Sequence, residues 1–291
     1  MAEGILNINK PAGLTSHDVV DKVRRIVDTR RVGHTGTLDP LATGVLLVCV
    51  GRATRLAEYL VGQRKRYRAT VRLGQETDTF DSEGQIIAES SITCTSSEIN
   101  MALDSFRGEI TQQVPSYSAI KIDGEPLYRR ARRGEHPERP ARLVTVYELE
   151  ILEWDSPYLK IDLYCSSGTY IRSIAHDLGQ SLGCGGHLAD LSRVSIGDFS
   201  LQDSVHLNDL NSEYWQDHLM PMVAAIRHLP RLDVTLEEAV KLYHGQPVLT
   251  LDQRKDGEVV QAFDINSRFV GIAVFDADHY QAKKIFYEPD P

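Results

Sequence analysis

The chain lacks most of the features that would sort it quickly. Its four cysteines, Cys49, Cys94, Cys165 and Cys184, lie far apart and form no paired metal-ligand motif. His17, His34, His176 and His187 show no ligand spacing such as H-x-x-x-H, and the acidic stretch 74–84 has no calcium-loop spacing. A metal enzyme is therefore not expected. No run approaches the length of a membrane helix, and the first residues lack the basic-then-apolar pattern of a signal peptide. A cytoplasmic protein is expected, without membrane association. There is no internal repeat and no long low-complexity tract. Positive charge is also in deficit, with 32 Lys and Arg against 41 Asp and Glu.

The distribution of that charge matters more than its sum. Residues 198–291 hold 8 basic and 16 acidic side chains, whereas residues 1–197 hold 24 and 25. Within the nearly neutral body, three clusters are basic: residues 22–31, 52–72 and 121–142. Together they can offer a polyanion a favourable local field, although each alone could be a solvated surface. At 291 residues, with 42% apolar and 25% charged residues, the chain is long enough for a large domain and a smaller one.

The stretch that organises the chain is Gly33-His34-Thr35-Gly36-Thr37-Leu38-Asp39-Pro40-Leu41-Ala42-Thr43-Gly44. Pro40 disfavours a helical backbone at Asp39, and the glycines permit turns and close approach. An acid in such a loop, beside a histidine and two threonines, is placed for chemistry; a tight turn in which Asp39 only caps a backbone group is the alternative. A hydrolase using Asp39 and a histidine lacks a placed nucleophile–base pair, and His176-Asp177, adjacent on a helix, point in different directions.

Around the loop, residues 5–8 read as a strand, and Thr15 or Ser16 caps a helix whose inward stripe is Val19, Val23 and Ile26. Residues 44–50 are almost wholly apolar, as a central strand would be, and 53–60 form a short helix. Residues 66–73 alternate strictly, with Tyr67, Ala69, Val71 and Leu73 on one face. A loop or hairpin follows over 74–84, then a helix over 97–106. Residues 122–140, dense in arginine and broken by Gly134, Pro137 and Pro140, are expected to project and to order on a partner. Residues 143–152 and 158–165 read as neighbouring strands. Ser166 to Thr169 can cap the next helix, in whose first turn Arg172 calls for an anionic partner, because a cation gains nothing from the dipole there. An acidic linker and helix from about 198 would pack through Leu207, Leu210, Tyr214 and Trp215. Beyond Pro230, a helix at 236–242 and strands at 258–264, 269–275 and 282–287 fit a small β-barrel that is marginal without docking.

Six stretches, in order, carry a resemblance: residues 9–16, Gly33 to Leu46, Lys65-Arg66-Tyr67, residues 115–121, Cys165 to Arg172, and Gly186-His187-Leu188 with Leu191 and Arg193. The chain resembles the bacterial TruB family of tRNA pseudouridine(55) synthases. It departs from it where Val114-Pro115-Ser116 replaces a double proline and Ser167 stands where lysine is common. The resemblance implies an α+β pseudouridine synthase fold over residues 1–230. Its central mixed, mostly antiparallel sheet is flanked by helices, and a small PUA-like β-barrel domain follows over residues 231–291. It implies isomerisation of the T-loop uridine at position 55 of tRNA, by base flipping, glycosidic bond cleavage and reattachment through C5, without cofactor or metal. The partner implied is the tRNA T-arm, met by a monomer with no obligate protein partner.

By the same resemblance Asp39, Tyr67 and Arg172 are catalytic. His34, Tyr67, Leu191, Lys10, Lys121, Arg129, Arg130, Arg132 and Arg133 bind substrate, the last four in an RNA-binding loop at about 122–140. The remaining alternatives are a pseudouridine synthase acting on another RNA and a non-catalytic protein that binds or folds RNA.

Overall fold

The computed structural model describes residues 2–118, 120–122, 124–135, 138–250 and 254–289. Strand β1 (Gly4–Lys10) leads into α1 (Ser16–Ile26), which begins in a capping box: the Thr15 side chain accepts from the Asp18 amide, and Asp18 answers at the Thr15 amide. Val19, Val20 and Val23 are its buried stripe. The chain returns through a short strand, β2 (Val32–His34), to β3 (Thr43–Val50), which is buried on both faces and antiparallel to β1 from Gly4↔Val50 to Lys10↔Gly44. Three residues give no periodicity, so β2 was not readable in the sequence. A 3-10 turn, Gly51–Leu56, and α2 (Ala57–Val61) precede β4 (Lys65–Leu73), whose alternation holds residue by residue.

The acidic stretch forms β5 (Gln75–Thr77) and the turn towards β6 (Ile86–Glu89). Next come α3 (Ser96–Asp104) and β7 (Gly108–Gln113). The basic segment expected to order on a partner carries regular structure in the chain alone: β8 (Lys121–Ile122), β9 (Glu125–Pro126) and α4 (Leu127–Arg132), with Leu127 buried as its anchor. Pro137, read as a breaker there, and Ala119 of the 115–121 stretch lie outside the described residues.

A long hairpin follows, β10 (Ala141–Asp155) with β11 (Tyr158–Cys165), and then α5 (Ile171–Ser181). The cap expected from Ser166 to Thr169 is not made. Ser167 Oγ donates to Val61 O (2.7 Å), Thr169 Oγ1 donates to Ser166 O (3.0 Å), and Ser166 Oγ accepts from Thr145 N (2.9 Å), so these hydroxyls are spent elsewhere. Tyr170 is the N-cap instead, and its amide donates to Gln112 Oε1 (3.0 Å).

Strand β12 (Gly186–Ile196) runs antiparallel to β4 and meets β3 in parallel at Ser192↔Thr43 and Arg193↔Gly44. Register shifts between Leu188 and Asp190 and between Arg193 and Ser195 break its two-residue alternation, which hid it in the sequence. Short strands β13 (Phe199–Ser200), β14 (Val205–His206) and β15 (Leu219–Met220) trim the sheet, whose main order is β14-β1-β3-β12-β4-β11-β10-β7. In place of the helix expected after 198 there is a 3-10 turn, Trp215–His218; Trp215 packs inward and Tyr214 is exposed.

The C-terminal part is a curled, PUA-like half-barrel of β16 (Arg231–Val234), α6 (Leu236–Tyr243), β17 (Val248–Leu249), β18 (Val259–Asp264), β19 (Phe269–Asp276) and β20 (His279–Ile285). Its strand order is β16-β18-β19-β20-β17. Ile272 and Phe286 share an apolar cluster with Ile5, Val45 and Leu56. Arg55 donates to Ile285 O (2.8 Å) and lies over the Phe286 ring, while Arg52 pairs with Glu3 (2.8 Å) and Glu288 (3.0 Å). Part of the basic cluster at 52–72 is thus used inside the protein. Arg66 is likewise paired with Asp162 (2.5 Å) and Glu148 (3.2 Å).

Where β3 leaves the loop, Gly44 has φ +102°, and a Cβ there would stand 2.2 Å from Arg193 O. Strain and overlap act together, so Gly44→Ala is expected to lower stability by about 1–3 kcal/mol or more. Urea denaturation measures it, and an unchanged midpoint would contradict the tight β3–β12 crossing.

Candidate active site

The loop between β2 and β3 is held from both sides. Leu38 is buried in the core, and Ser16, at the start of α1, accepts its amide (2.8 Å) and donates to its carbonyl (3.0 Å) through one hydroxyl. Arg193 on β12 is wholly buried; it donates to Val45 O (2.8 Å), Gly36 O (3.0 Å) and Thr37 O (3.3 Å). Lys10, expected at the substrate, is also wholly buried and donates to Pro11 O (2.9 Å), Leu14 O (2.6 Å) and Pro40 O (3.2 Å). An ammonium spent on three carbonyls has no proton left for a phosphate, so Lys10 braces the loop. Burial brings its pKa down to about 8.

With Leu38 pulled inward and Pro40 pinned, Asp39 is turned towards Arg172. Arg172 Nε meets Asp39 Oδ2 at 3.0 Å, and Arg172 Nη1 meets Asp81 Oδ2 at 3.0 Å. The same guanidinium donates to Tyr117 O (3.0 Å) and more distantly to Thr79 O (3.4 Å). The anionic partner that Arg172 demanded is therefore a pair of carboxylates. Their surroundings differ: the Asp81 side chain is 4% exposed, the Asp39 side chain 34%. Asp81 is further fixed by Thr79 Oγ1 (2.6 Å) and the Glu83 amide (3.1 Å). One carboxylate is locked and the other keeps an open side.

Desolvation pushes the Asp39 carboxyl above its ordinary range; Arg172 opposes this, Asp81 adds to it, and Lys10 and Arg193 oppose it. Pairing with Arg172 aims the acid without fully offsetting its burial. Tyr67 on β4 is 7% exposed and packs in one cluster with Leu38 and Leu191, which gives the site an apolar wall. Burial raises the pKa of the Tyr67 phenol against the pull of Arg193, which keeps it protonated at neutral pH. His34 closes β2; its Nδ1 accepts the Gly36 amide (3.4 Å), and burial beside Arg193 lowers its pKa, favouring the neutral ring.

Asp39, Arg172, Tyr67 and Leu191 are brought together, with His34 at the loop's entrance. The basic residues lie apart from them on the β8–α4 segment. Lys121, Arg129 and Arg132 are exposed, whereas Arg133 is paired with Glu125 (2.6 and 2.8 Å) and Glu135 (2.8 Å), and Arg130 with Glu135 (3.1 Å). Two of the four arginines expected to await phosphate therefore already hold carboxylates. That segment is tied to the site, since Leu127 N donates to Ile120 O (2.8 Å), Tyr128 N donates to Ser118 O (3.0 Å), and Tyr117 O accepts from Arg172.

Asp81 and Arg193 were missed as site residues. The threonines alternating with acids at 77–81 were the available sign of the first, and an arginine two places after Leu191 on an inward face was that of the second. Among the described residues no cluster of three or more His, Cys, Asp or Glu could hold a metal ion. None of their helices is long and apolar enough to cross a membrane.

The folded protein holds the Asp39 proton at higher pH than the unfolded chain does. This group therefore adds stability as pH falls through that window and costs stability above it. Carbon NMR of the free protein should place the Asp39 midpoint above 3.8, the value for an unperturbed aspartate, and Asp39→Asn should be at least as stable as the parent at pH 7. A midpoint below 3.8 would reverse this assignment of the electrostatics.

Three family models match the chain: the TruB family pseudouridylate synthase N-terminal domain over residues 24–171, a tRNA pseudouridylate synthase B C-terminal domain over 172–239, and a pseudouridine synthase II TruB C-terminal model over 230–280. A tRNA pseudouridine synthase B of Dehalococcoides mccartyi is 44% identical, covering 99% of this chain and 98% of its own. That of Actinobacillus pleuropneumoniae is 38% identical, covering 95% and 93%. Among solved structures, an H/ACA RNP bound to a substrate RNA containing 2'-deoxyuridine aligns with TM-score 0.77 and 25% identity, covering 99% of this chain and 86% of the other. A Cbf5-Nop10-Gar1 complex aligns with TM-score 0.76 and 27% identity, covering 98% and 85%. On the matched length, the identity and the shared fold, this chain belongs to the TruB family of pseudouridine synthases.

Proposed function

We propose that the chain converts uridine 55 in the T-loop of tRNA to pseudouridine, with the T-arm as its partner. The observation that carries this reading is the half-open Asp39 carboxylate, 34% exposed and held at 3.0 Å by an arginine that is itself 6% exposed. The name shared by its relatives supports tRNA as the substrate class. With tRNA as the substrate, we assign the chain to the cytoplasm, acting there as a monomer.

In the proposed reaction the target nucleotide leaves its stack, at a cost of a few kcal/mol that contacts with protein offset. The N1–C1' bond breaks, uracil turns within the pocket, C5 bonds to C1', and the C5 proton is lost while N1 gains one. The ionised Asp39 carboxylate attacks C6 of the base or C1' of the ribose, or shields the developing sugar cation. Arg172 keeps it aimed through a planar, two-sided contact that a lysine would not reproduce. Tyr67 offers a ring for the base to stack on, worth roughly 1–3 kcal/mol, and a protonated hydroxyl near Arg193. Leu191 supplies an apolar side to the pocket, and His34, neutral and half-buried, stands at its mouth.

We assign catalysis to residues 1–230, the grip on the T-arm to the β8–α4 segment with Lys121, Arg129, Arg130, Arg132 and Arg133, and an auxiliary RNA contact to the PUA-like residues 231–291. A second reading, a different RNA substrate, is favoured by the likeness to an RNP that holds its own substrate RNA. Mapping modified uridines in RNA from cells with and without the protein separates the two.

Asp39→Ala is expected to abolish pseudouridine formation in unmodified tRNA while leaving filter binding largely intact, because phosphate contacts lie in the basic segment; retained turnover would remove Asp39 from the chemistry. Replacing Arg129, Arg130, Arg132 and Arg133 together should weaken binding and flatten its salt dependence by roughly 0.9 for each phosphate no longer neutralised, on the duplex scale. Because Arg130 and Arg133 must first leave their glutamates, the fall should be smaller than four times that value, and an unchanged slope would take the segment out of the interface.

A further inference from the structure

The turn that delivers Asp81 to Arg172 is itself strained. Phe80 has φ +67°, in the left-handed region that bulky side chains avoid, and it stands between two groups that accept from Arg172: Thr79 O and the Asp81 carboxylate. A relaxed backbone at Phe80 would turn those two acceptors apart. Hydrogen bonds from Leu188 N to Phe80 O (2.9 Å) and from Ser82 N to Leu188 O (2.9 Å) tie the turn to β12. They hold it against the sheet and leave its position along α5 unspecified.

The Phe80 ring supplies that position. It lies flat on the imidazole of His176, with centroids 3.8 Å apart and planes 13° from parallel. His176 follows Arg172 by four residues on α5, so both side chains leave the same face one turn apart. One helix face thus holds consecutive residues of the turn: His176 takes the Phe80 ring, and Arg172 takes the Asp81 carboxylate. Among the described residues His176 Nδ1 is buried without a hydrogen-bond partner, and the stack is the contact seen to place the ring.

We propose that His176 and Phe80 are positioning residues of this site: their stack sets the register of the Thr79–Asp81 turn on α5, and through Asp81 the angle at which Arg172 meets Asp39. The proposal rests on the isomerase reading for its effect on rate, but its structural core does not. The charged groups acting on Asp39 are Arg172 from α5, Asp81 and Glu83 from the turn and the residues after it, Lys10 from β1 and Arg193 from β12; those acting on His176 are Asp177, Glu76 and Arg139. Replacing His176 removes none of the first set and acts on Asp39 through the placement of Asp81 and Arg172.

The test compares the parent chain with His176→Ala, which removes the stack, and His176→Phe, which keeps a flat ring and discards the titrating nitrogens. In His176→Ala the single-turnover rate of pseudouridine formation should fall about tenfold, as expected when a catalytic group is slightly misaimed, with the Kd for tRNA unchanged. The Asp39 midpoint, read by carbon NMR in the free protein, should rise, because Arg172 is the main influence holding it down. His176→Phe should restore both. An unchanged Asp39 midpoint in a folded His176→Ala variant overturns the proposal, and so does a His176→Phe variant that recovers neither quantity. The midpoint needs no turnover, so a parent chain that made no pseudouridine would refute the proposed function while the register question was still answered.

Discussion

A single guanidinium shared by two carboxylates sets the terms for the rest of the site. Arg172 brings one positive charge to Asp39 and Asp81, which bring two negative charges when both are ionised. Removing such a group from water is costly unless its hydrogen bonds are satisfied, and the protein satisfies them unequally. Asp81 receives Thr79 and a backbone amide as well as the arginine, so it takes the buried position. The residual imbalance falls on Asp39, whose proton is held more tightly than usual. The acid with the open side is therefore also one whose burial opposes its ionisation, a useful condition for the reactive role proposed for it.

That arrangement demands a loop that cannot relax. Ser16 from α1, Lys10 from β1 and Arg193 from β12 reach the backbone on either side of Asp39, so three elements fix one aspartate. Two buried cations are committed to carbonyl oxygens for this purpose. Their positive charge also partly offsets the desolvation of Asp39, so the scaffold and the electrostatics of the site come from the same side chains.

Much of this was readable before the structure. Strict alternation revealed β4 and the inward Tyr67, the apolar run revealed β3, and Thr15 with Asp18 marked the start of α1, because each signal is local. Arg172 was legible as a misfit, a cation at the wrong end of a helix. Asp81 was not, since its importance depends on a contact across 91 residues of chain. Strand β12 was hidden by two bulges, and Arg193 with it. Lys10 was misassigned for a related reason: a lysine beside a turn looks solvent-bound until the carbonyls around it are known. Arg130 and Arg133 looked free because their glutamates, Glu125 and Glu135, flank the run.

The distances along the chain carry a consequence for biosynthesis. Asp39 leaves the ribosome well before Asp81, and both precede Arg172 and the β12 strand that completes the sheet around them. Through that interval the loop lacks its guanidinium partner and the Arg193 contacts, so a nascent chain has the acid without the geometry. The site is complete only once β12 lies between β3 and β4, two strands made long before it. A chain ending ahead of β12 would lack Arg193 and its three contacts to the loop around Asp39.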